Sequence, residues 1–255
     1  MSLHDGIAVI TGAGSGLGRA LSLEFTGRGF TVFGIGRRDD ALCETESMIV
    51  NGSFIPHAAD VSDFAAIRVA FDRLDQMQQP VTILINNAAI YERFDFLERE
   101  PTAFMRTLEI NLGGMINCSH AALQQMTQSG FGRIINVSSF ADLAPLPGSG
   151  AYSVSKGAAR IFTRALVADI RDRFPDIVIN DWTPGALATT MGIAEGLQPS
   201  VAAVWGVDLT LLHDRSINGI VFDRDREVIP PRSIKQRIKD LLLLRPARSP
   251  RVLSS

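Results

Sequence analysis

The stretch Thr11-Gly12-Ala13-Gly14-Ser15-Gly16-Leu17-Gly18 decides the reading of this chain. It follows an apolar run over 7–11 and opens a segment of helical period over 16–28. Glycines let a backbone turn sharply and approach a pyrophosphate with no side chain in the way. The helix that follows offers free N–H groups and the positive end of its dipole to phosphates. A glycine-rich turn is also an ordinary strand-to-helix connection. Its position after the first strand tips the balance toward a bound dinucleotide.

Working outward, short apolar runs alternate with longer segments of helical period. Strands are predicted over 7–11, 31–35, 53–57, 81–86, 133–137, 177–179 and 219–222. Helices are predicted over 16–28, from Asp39, over 63–79, 102–128, 151–173 and 199–213. Asp39 and Asp40 suit the positive end of a helix. The run Thr82-Ile83-Leu84-Ile85 has no polar alternation, as expected of a strand covered on both faces. The expected fold class is α/β: a single-domain, Rossmann-like, doubly wound parallel sheet with helices on both faces. The domain is expected to span 1–231. Residues 232–255 form an extension in which Ile234, Ile238, Leu241 and Leu242 have the spacing of a short amphipathic helix.

Composition narrows the function. The 255 residues are 46% hydrophobic and 20% charged, which excludes a disordered chain. Net charge is -2 with no basic stripe, so nucleic acid is not an expected partner. Two cysteines, Cys43 and Cys118, lie far apart and give neither a disulfide framework nor metal spacing. The histidines, His4, His57, His120 and His213, are scattered and read as structural or exposed, so no metal is expected. The N-terminus has no apolar leader, and the aliphatic run over 241–244 is far too short to span a bilayer. The expectation is a soluble cytoplasmic protein with no membrane partner.

The second strand bears on the choice of cofactor. About 20 residues past the glycines, a carboxylate usually grips the ribose 2′-OH of NAD. Here Gly36 stands in that place and Arg37-Arg38 follow. Nothing at Gly36 repels a 2′-phosphate, and Arg37 or Arg38 can pair with one bidentately. NADP(H) is the preferred expectation, with NAD(H) left open. The bland alternative is that 37–40 form a solvated charge cluster at a helix start.

Tyr152 and Lys156 are four residues apart at the start of a predicted helix and share one face. A free phenol, with a pKa of about 10, is too weak an acid to serve well near neutrality. A neighbouring ammonium stabilises the phenolate and lowers that value. Taken alone, such a pair is more often a surface pair.

Taken with the other motifs, the chain resembles the short-chain dehydrogenase/reductase family over nearly its whole length. The turn from Gly12 through Ser15, Gly16 and Leu17 to Gly18 matches the family's TGxxxGxG turn. Asp60 and Val61 match its adenine-contacting segment. Asn86-Asn87-Ala88 matches its NNA segment. Asn111, Ser139, Tyr152 and Lys156 match its catalytic tetrad, with Ser139 at the family's distance before the tyrosine. Pro184, Gly185 and Thr189 match the segment beside the nicotinamide. The resemblance implies that Tyr152 is general acid in reduction and base in oxidation. It implies that Lys156 holds the nicotinamide ribose and lowers the tyrosine pKa, and that Ser139 binds the substrate oxygen. It implies that Asn111 holds a relay water. The expected substrate is a small-molecule carbonyl or alcohol.

Several positions depart from the family pattern. Ala89 replaces a glycine, and Ser15 stands where several NADP-preferring relatives have a basic residue. Asp142 replaces a glycine and reads as an exposed loop residue that a cationic or polyhydroxy substrate could also meet. Trp182 reads as packing, and Phe94, Phe96 and Phe104 as core or interface. Between Thr189 and Pro199 the substrate-covering segment is short, so the pocket is either open or covered by the extension. Its expected lining is Ile90, Tyr91, Phe140, Leu143, Leu146, Ala186 and Leu187. A homodimer or homotetramer built on the helices over 102–128 and 151–173 is expected. Rival readings are an NAD-dependent polyol or secondary-alcohol dehydrogenase, an acyl-carrier-protein ketoacyl reductase, and a dinucleotide-binding sensor without turnover.

Overall fold

The computed structural model describes residues 1–229 and 249–253. Eight strands form one sheet: β1 (Ile7–Thr11), β2 (Thr31–Gly36), β3 (Ser53–Ala58), β4 (Val81–Asn86), β5 (Phe131–Val137), β6 (Asp176–Thr183), β7 (Val221–Asp223) and β8 (Arg226–Glu227). Their order is β3-β2-β1-β4-β5-β6-β7-β8. All pairs are parallel except the last, β7 with β8. The order reverses between β1 and β4, which opens a crevice at the C-terminal ends of the strands.

Alternation along each strand divides the core. Ala8 and Ile10 face one layer, while Ile7 and Val9 face the other. The first layer is covered by α1 (Gly16–Gly27) and α7 (Pro199–Leu211), through Leu21, Phe25, Ala203 and Val207. The second is covered by α3 (Phe64–Gln76) and α5 (Gly114–Ser129), through Ile67, Leu74, Cys118 and Met126. α6 (Gly150–Ile170) adds Val167 and Ile170 to that layer. α2 (Asp39–Ser47) packs beside β3, and α4 (Pro101–Leu108) packs on α6.

Local signals set the helix ends. The Asp63 carboxylate accepts from the N–H groups of Ala65 and Ala66, so Asp63 caps α3. Pro101 and Pro199 occupy first-turn positions, where the missing N–H costs nothing. Arg133 does the same work from a distance. It is fully buried, and its guanidinium donates to the carbonyls of Leu209 and Thr210 in the last turn of α7, and to Val178. A cation at a helix C-terminus is well placed. Burial pulls its pKa down to about 9, which still leaves it charged at neutrality.

Some expectations need correction. The predicted long helix over 102–128 is continuous, but a π turn over Glu109–Gly113 interrupts its hydrogen bonding between α4 and α5. β6 is longer than predicted. β7 begins later than predicted, because Asn180 and Gly219 tie residues 217–220 into a turn before the strand. β8 has too few residues to give a sequence signal. The predicted tail helix, with Ile234, Ile238, Leu241 and Leu242, lies outside the described residues. Residues 249–253 return to the sheet edge: Val252 bridges to Arg226, and Leu253 is buried in the first core layer. Each of the four histidines lies against a phenylalanine ring: His4 on Phe30, His57 on Phe33, His120 on Phe64 and His213 on Phe131.

Candidate active site

The glycine turn sits at the C-terminal end of β1. Gly12 has φ +69°, a left-handed conformation that suits glycine. A Cβ on Gly18 would lie 2.1 Å from the Gly12 carbonyl oxygen and 2.7 Å from Asn87 Nδ2, so only glycine lets α1 start this close to the strand. Ser15 is the N-cap of α1, but its side chain makes no capping bond, so its hydroxyl leaves those N–H groups to another acceptor. Leu17 is buried beneath the turn.

Thr11 holds the turn against β4. Its hydroxyl donates to the Ile85 carbonyl and accepts from the N–H groups of Asn87 and Ala88. Asn87 Nδ2 donates back to the Thr11 carbonyl at 2.9 Å. Arg19 is a second brace absent from the predicted set. It donates to the Gly14 carbonyl, to Thr45 and to Glu44 on α2. Its signal was a basic residue one turn into the helix, which is hard to separate from a solvated charge.

Asp60 follows β3. One of its oxygens accepts from the Ser62 N–H and hydroxyl. Partial burial pushes its carboxyl up. The Ser62 bonds and the guanidiniums of Arg37 and Arg106 outweigh that and hold it below the usual range. Val61 packs on Gly114, where a Cβ would clash. Arg37 is exposed and makes no ion pair or hydrogen bond among the described residues.

Asn111 lies in the π turn, a deviation often found at functional sites. Its amide donates to the Ile90 carbonyl and to Ser155 Oγ, and its oxygen accepts from the Ile90 N–H. Both N–H bonds are therefore committed. A relay water could use only the remaining lone pair or the main-chain carbonyl.

Ser139 ends the loop after β5, and its hydroxyl accepts from the Ala141 N–H. Tyr152 and Lys156 lie in the first two turns of α6. Lys156 is buried, donates to the Val137 carbonyl at 2.8 Å, and has its nitrogen 5.7 Å from the centre of the Tyr152 ring. Burial pulls its pKa down to about 8, opposed by Asp181. Burial also raises the Tyr152 phenol above its ordinary value; Ser139 opposes the rise and Tyr91 adds to it. The net shift is upward, against the lowering by Lys156 that the resemblance implies; the ammonium donates to the Val137 carbonyl. The chain's only other tyrosine, Tyr91, lies against Tyr152 with ring centres 4.6 Å apart.

Thr189 reaches the glycine turn: a Cβ on Gly16 would lie 3.3 Å from its methyl. Pro184 and Gly185 follow β6, and Gly185 has φ +89°. The short covering segment folds on itself, with Ala188 donating to the Leu197 carbonyl and Leu197 to the Ala186 carbonyl. That bridge draws Leu187 into the core. Phe140, Leu143 and Leu146 are exposed, as are Met191 and Ile193. Asp142 is not the exposed residue expected; it is paired with Arg160.

Beneath the site a polar row crosses the sheet. Asn86, Asn136 and Asp181 stand in register on β4, β5 and β6. Asn86 donates to Ser119 and Asn136, Asn136 donates to Thr163, and the Thr163 hydroxyl donates to Asp181 at 2.7 Å. Burial pushes Asp181 up to about 6, against the Thr163 bond and the charges of Arg160, Arg164 and Lys156. A folded-state value above the unfolded one means stability that is full below about pH 4 and lost as pH rises through about 6. Asp181→Asn keeps an acceptor for Thr163. It is expected to gain about 1–2 kcal/mol at pH 7 and nothing at pH 4. Denaturant melts of both proteins at the two pH values check this; equal differences at both would refute it.

The family model for short chain dehydrogenases matches residues 6–199. The chain belongs to the short-chain dehydrogenase/reductase family. The "Probable oxidoreductase EphD" of Mycobacterium tuberculosis is 35% identical over 170 residues, 65% of this chain, which spans only 28% of that protein's length. An "NADP-dependent (R)-specific alcohol dehydrogenase" of Lentilactobacillus kefiri is 30% identical over 194 residues, covering 74% of this chain and 76% of that one. Among solved structures, a "putative NAD(P) dependent gluconate 5-dehydrogenase" from Beutenbergia cavernae, with NADP bound at low occupancy, is similar. It superimposes with a TM-score of 0.80 at 27% identity, over 88% of this short-chain dehydrogenase and 96% of that chain. No helix among the described residues is long and apolar enough to cross a membrane.

Proposed function

We propose that this short-chain dehydrogenase is an NADP(H)-dependent oxidoreductase. It moves a hydride between nicotinamide and a carbonyl or secondary-alcohol carbon of a small molecule, with Tyr152 as acid and base. The observation that carries this reading is the cluster of Ser139, Tyr152 and buried Lys156 at the crevice the glycine turn borders. NADPH oxidation across a panel of ketones and aldehydes tests it. Absence of turnover across the panel, in both directions and with both cofactors, would favour a non-catalytic binder.

The crevice fits a dinucleotide. The close Gly12–Gly18 approach sets the start of α1 directly against the end of β1, and the first turn of α1 has no side-chain cap. Gly12, Ser15, Gly16, Leu17 and Gly18 would hold the pyrophosphate. Asp60, Val61, Asn87 and Ala88 would border the adenosine end. Tyr152, Lys156, Pro184, Gly185 and Thr189 would border the nicotinamide end. When bound, the nicotinamide supplies or accepts the hydride.

The chain's own groups handle the proton. Tyr152 stays protonated at neutrality and so carries the proton that reduction needs, although burial makes it a weaker acid than a free phenol. Ser139 would donate to the same oxygen and stabilise developing charge. Lys156, still largely charged at pH 7, would hold the ribose and offset the phenolate once the proton has left.

Cofactor choice rests on Gly36 and Arg37. A Cβ on Gly36 would lie 3.2 Å from Leu42, and no carboxylate stands there against a 2′-phosphate. Arg37 is free to pair with one. The name of the Lentilactobacillus protein supports the same choice; the Beutenbergia protein is named for either cofactor and holds NADP at low occupancy. Arg37→Ala is expected to weaken NADPH by about 1.5–3 kcal/mol and NADH far less. Fluorescence titration checks this, and tighter NADH than NADPH in the unmodified protein would overturn it.

We also propose a homodimer or homotetramer joined through α4, α5 and α6, where Met105, Ile116, Val154 and Ile161 remain exposed. The contact should bury more than about 1,000 Å². Sedimentation at micromolar concentration is expected to show no monomer. Residues 1–231 form the catalytic domain in this reading, and 232–255 an extension whose end returns to the sheet edge.

A further inference from the structure

We infer that Arg160 and Asp142 form a clamp that positions Ser139. The inference rests on the proposed role of Ser139.

Arg160 lies on α6, one turn beyond Lys156. Its guanidinium spans two groups of the loop after β5. One terminal nitrogen donates to the Ser139 main-chain carbonyl at 3.0 Å and to Asp142 Oδ1 at 3.0 Å. Its Nε lies 2.8 Å from Asp142 Oδ2. The Arg160 side chain is 15% exposed and that of Asp142 only 9% exposed, so solvent screens the pair weakly. The ion pair is a charge-assisted hydrogen bond from one terminal nitrogen to Asp142 Oδ1, with Nε close to the other oxygen but not hydrogen-bonded to it. The same terminal nitrogen thus bonds a group at each end of the single turn over Phe140–Asp142, the Ser139 carbonyl before it and the Asp142 carboxylate at its close.

That turn needs holding. Its flanks are exposed, as Phe140, Leu143 and Leu146 show, so little apolar burial anchors it. Ser139 is its N-cap and faces Tyr152. Arg160 is on the same helix as Tyr152 and Lys156. The clamp therefore ties the serine to the helix that bears the other two groups, and their spacing is set within one rigid element. Asp142 is then a structural partner of Arg160 and is not available to a cationic or polyhydroxy substrate. Arg160 does not touch substrate; it is a positioning residue.

The experiment uses Arg160→Met, which keeps the length and removes the donors, in both the Ser139 and the Ser139→Ala backgrounds. Turnover is read with NADPH and 4-nitrobenzaldehyde, and amide exchange is read over 139–143. In the Ser139 background, kcat is expected to fall about ten- to a hundredfold. KM for NADPH should change little. In the Ser139→Ala background, Arg160→Met should cost nothing further. Exchange over 139–143 should rise at least about tenfold over that of β5. Equal losses in both backgrounds, or unchanged exchange, would overturn the clamp. If Arg160→Met does not fold, Asp142→Asn takes its place, with the same non-additivity required. If Ser139→Ala and Tyr152→Phe leave turnover unchanged, or the parent protein is inactive, the functional reading fails instead, and exchange alone decides whether the clamp holds the loop.

Discussion

Tyr152→Phe is expected to lower turnover about 10²–10⁴-fold or more on any verified substrate. The change removes one oxygen from a ring that is otherwise held. Tyr91 still lies against it and α6 still positions it, so the fold should be unaffected. NADPH affinity should stay within about tenfold, because a phenol hydroxyl contributes at most one neutral hydrogen bond to a large ligand. What disappears is the proton donor. Lys156, although its pKa is pulled down to about 8, points at the Val137 carbonyl and cannot readily take over. Stopped assays under saturating cofactor, with a parallel titration, separate the two effects. Near-normal turnover in this variant would remove Tyr152 from the mechanism.

Gly18→Ala should be the most damaging single methyl in the chain's first helix. The new carbon would meet the Gly12 carbonyl oxygen at 2.1 Å, and that oxygen belongs to backbone that cannot rotate aside. α1 would have to move outward, costing about 1–3 kcal/mol. The same movement would withdraw the N–H groups of its first turn, so NADPH should bind at least about tenfold more weakly. Gly27→Ala is the control. It lies at the other end of the same helix, where an added methyl meets nothing within 4 Å. It should be neutral or stabilising by up to about 1 kcal/mol. Thermal melts and cofactor titrations of both variants decide the matter. Indistinguishable variants would mean that the turn is looser than its geometry implies.

The groups expected to share a site from the resemblance do meet at one end of the sheet. Ser139, Tyr152, Lys156 and Asn111 converge there, and Thr189 reaches the glycine turn across a gap of 173 residues. Other features were not legible. Asp142 reads as a loop residue in sequence, and its partner lies 18 positions away on a helix. Arg133 reads only as the first residue of a strand, yet it caps α7. Leu187 reads as pocket lining, yet a two-bond bridge to Leu197 turns it inward. In each case the deciding contact is with a residue that no local pattern links to it.

By itself, then, the sequence determined what repeats along the chain or is forced by covalent form. Short continuous apolar runs and period-3.6 patterns set the order of strands and helices, since burying both faces of a strand or one face of a helix leaves a trace along the chain. Glycines at Gly12 and Gly18 marked the turn, since only a missing Cβ permits it. Tertiary structure alone decided which charged groups are paired and which are free, as with Arg160 held and Arg37 open. It also decided where burial outweighs charge, as for Tyr152 and Asp181. The reason is physical: solvation and pairing depend on three-dimensional neighbours within a few ångströms, and chain position does not encode those distances.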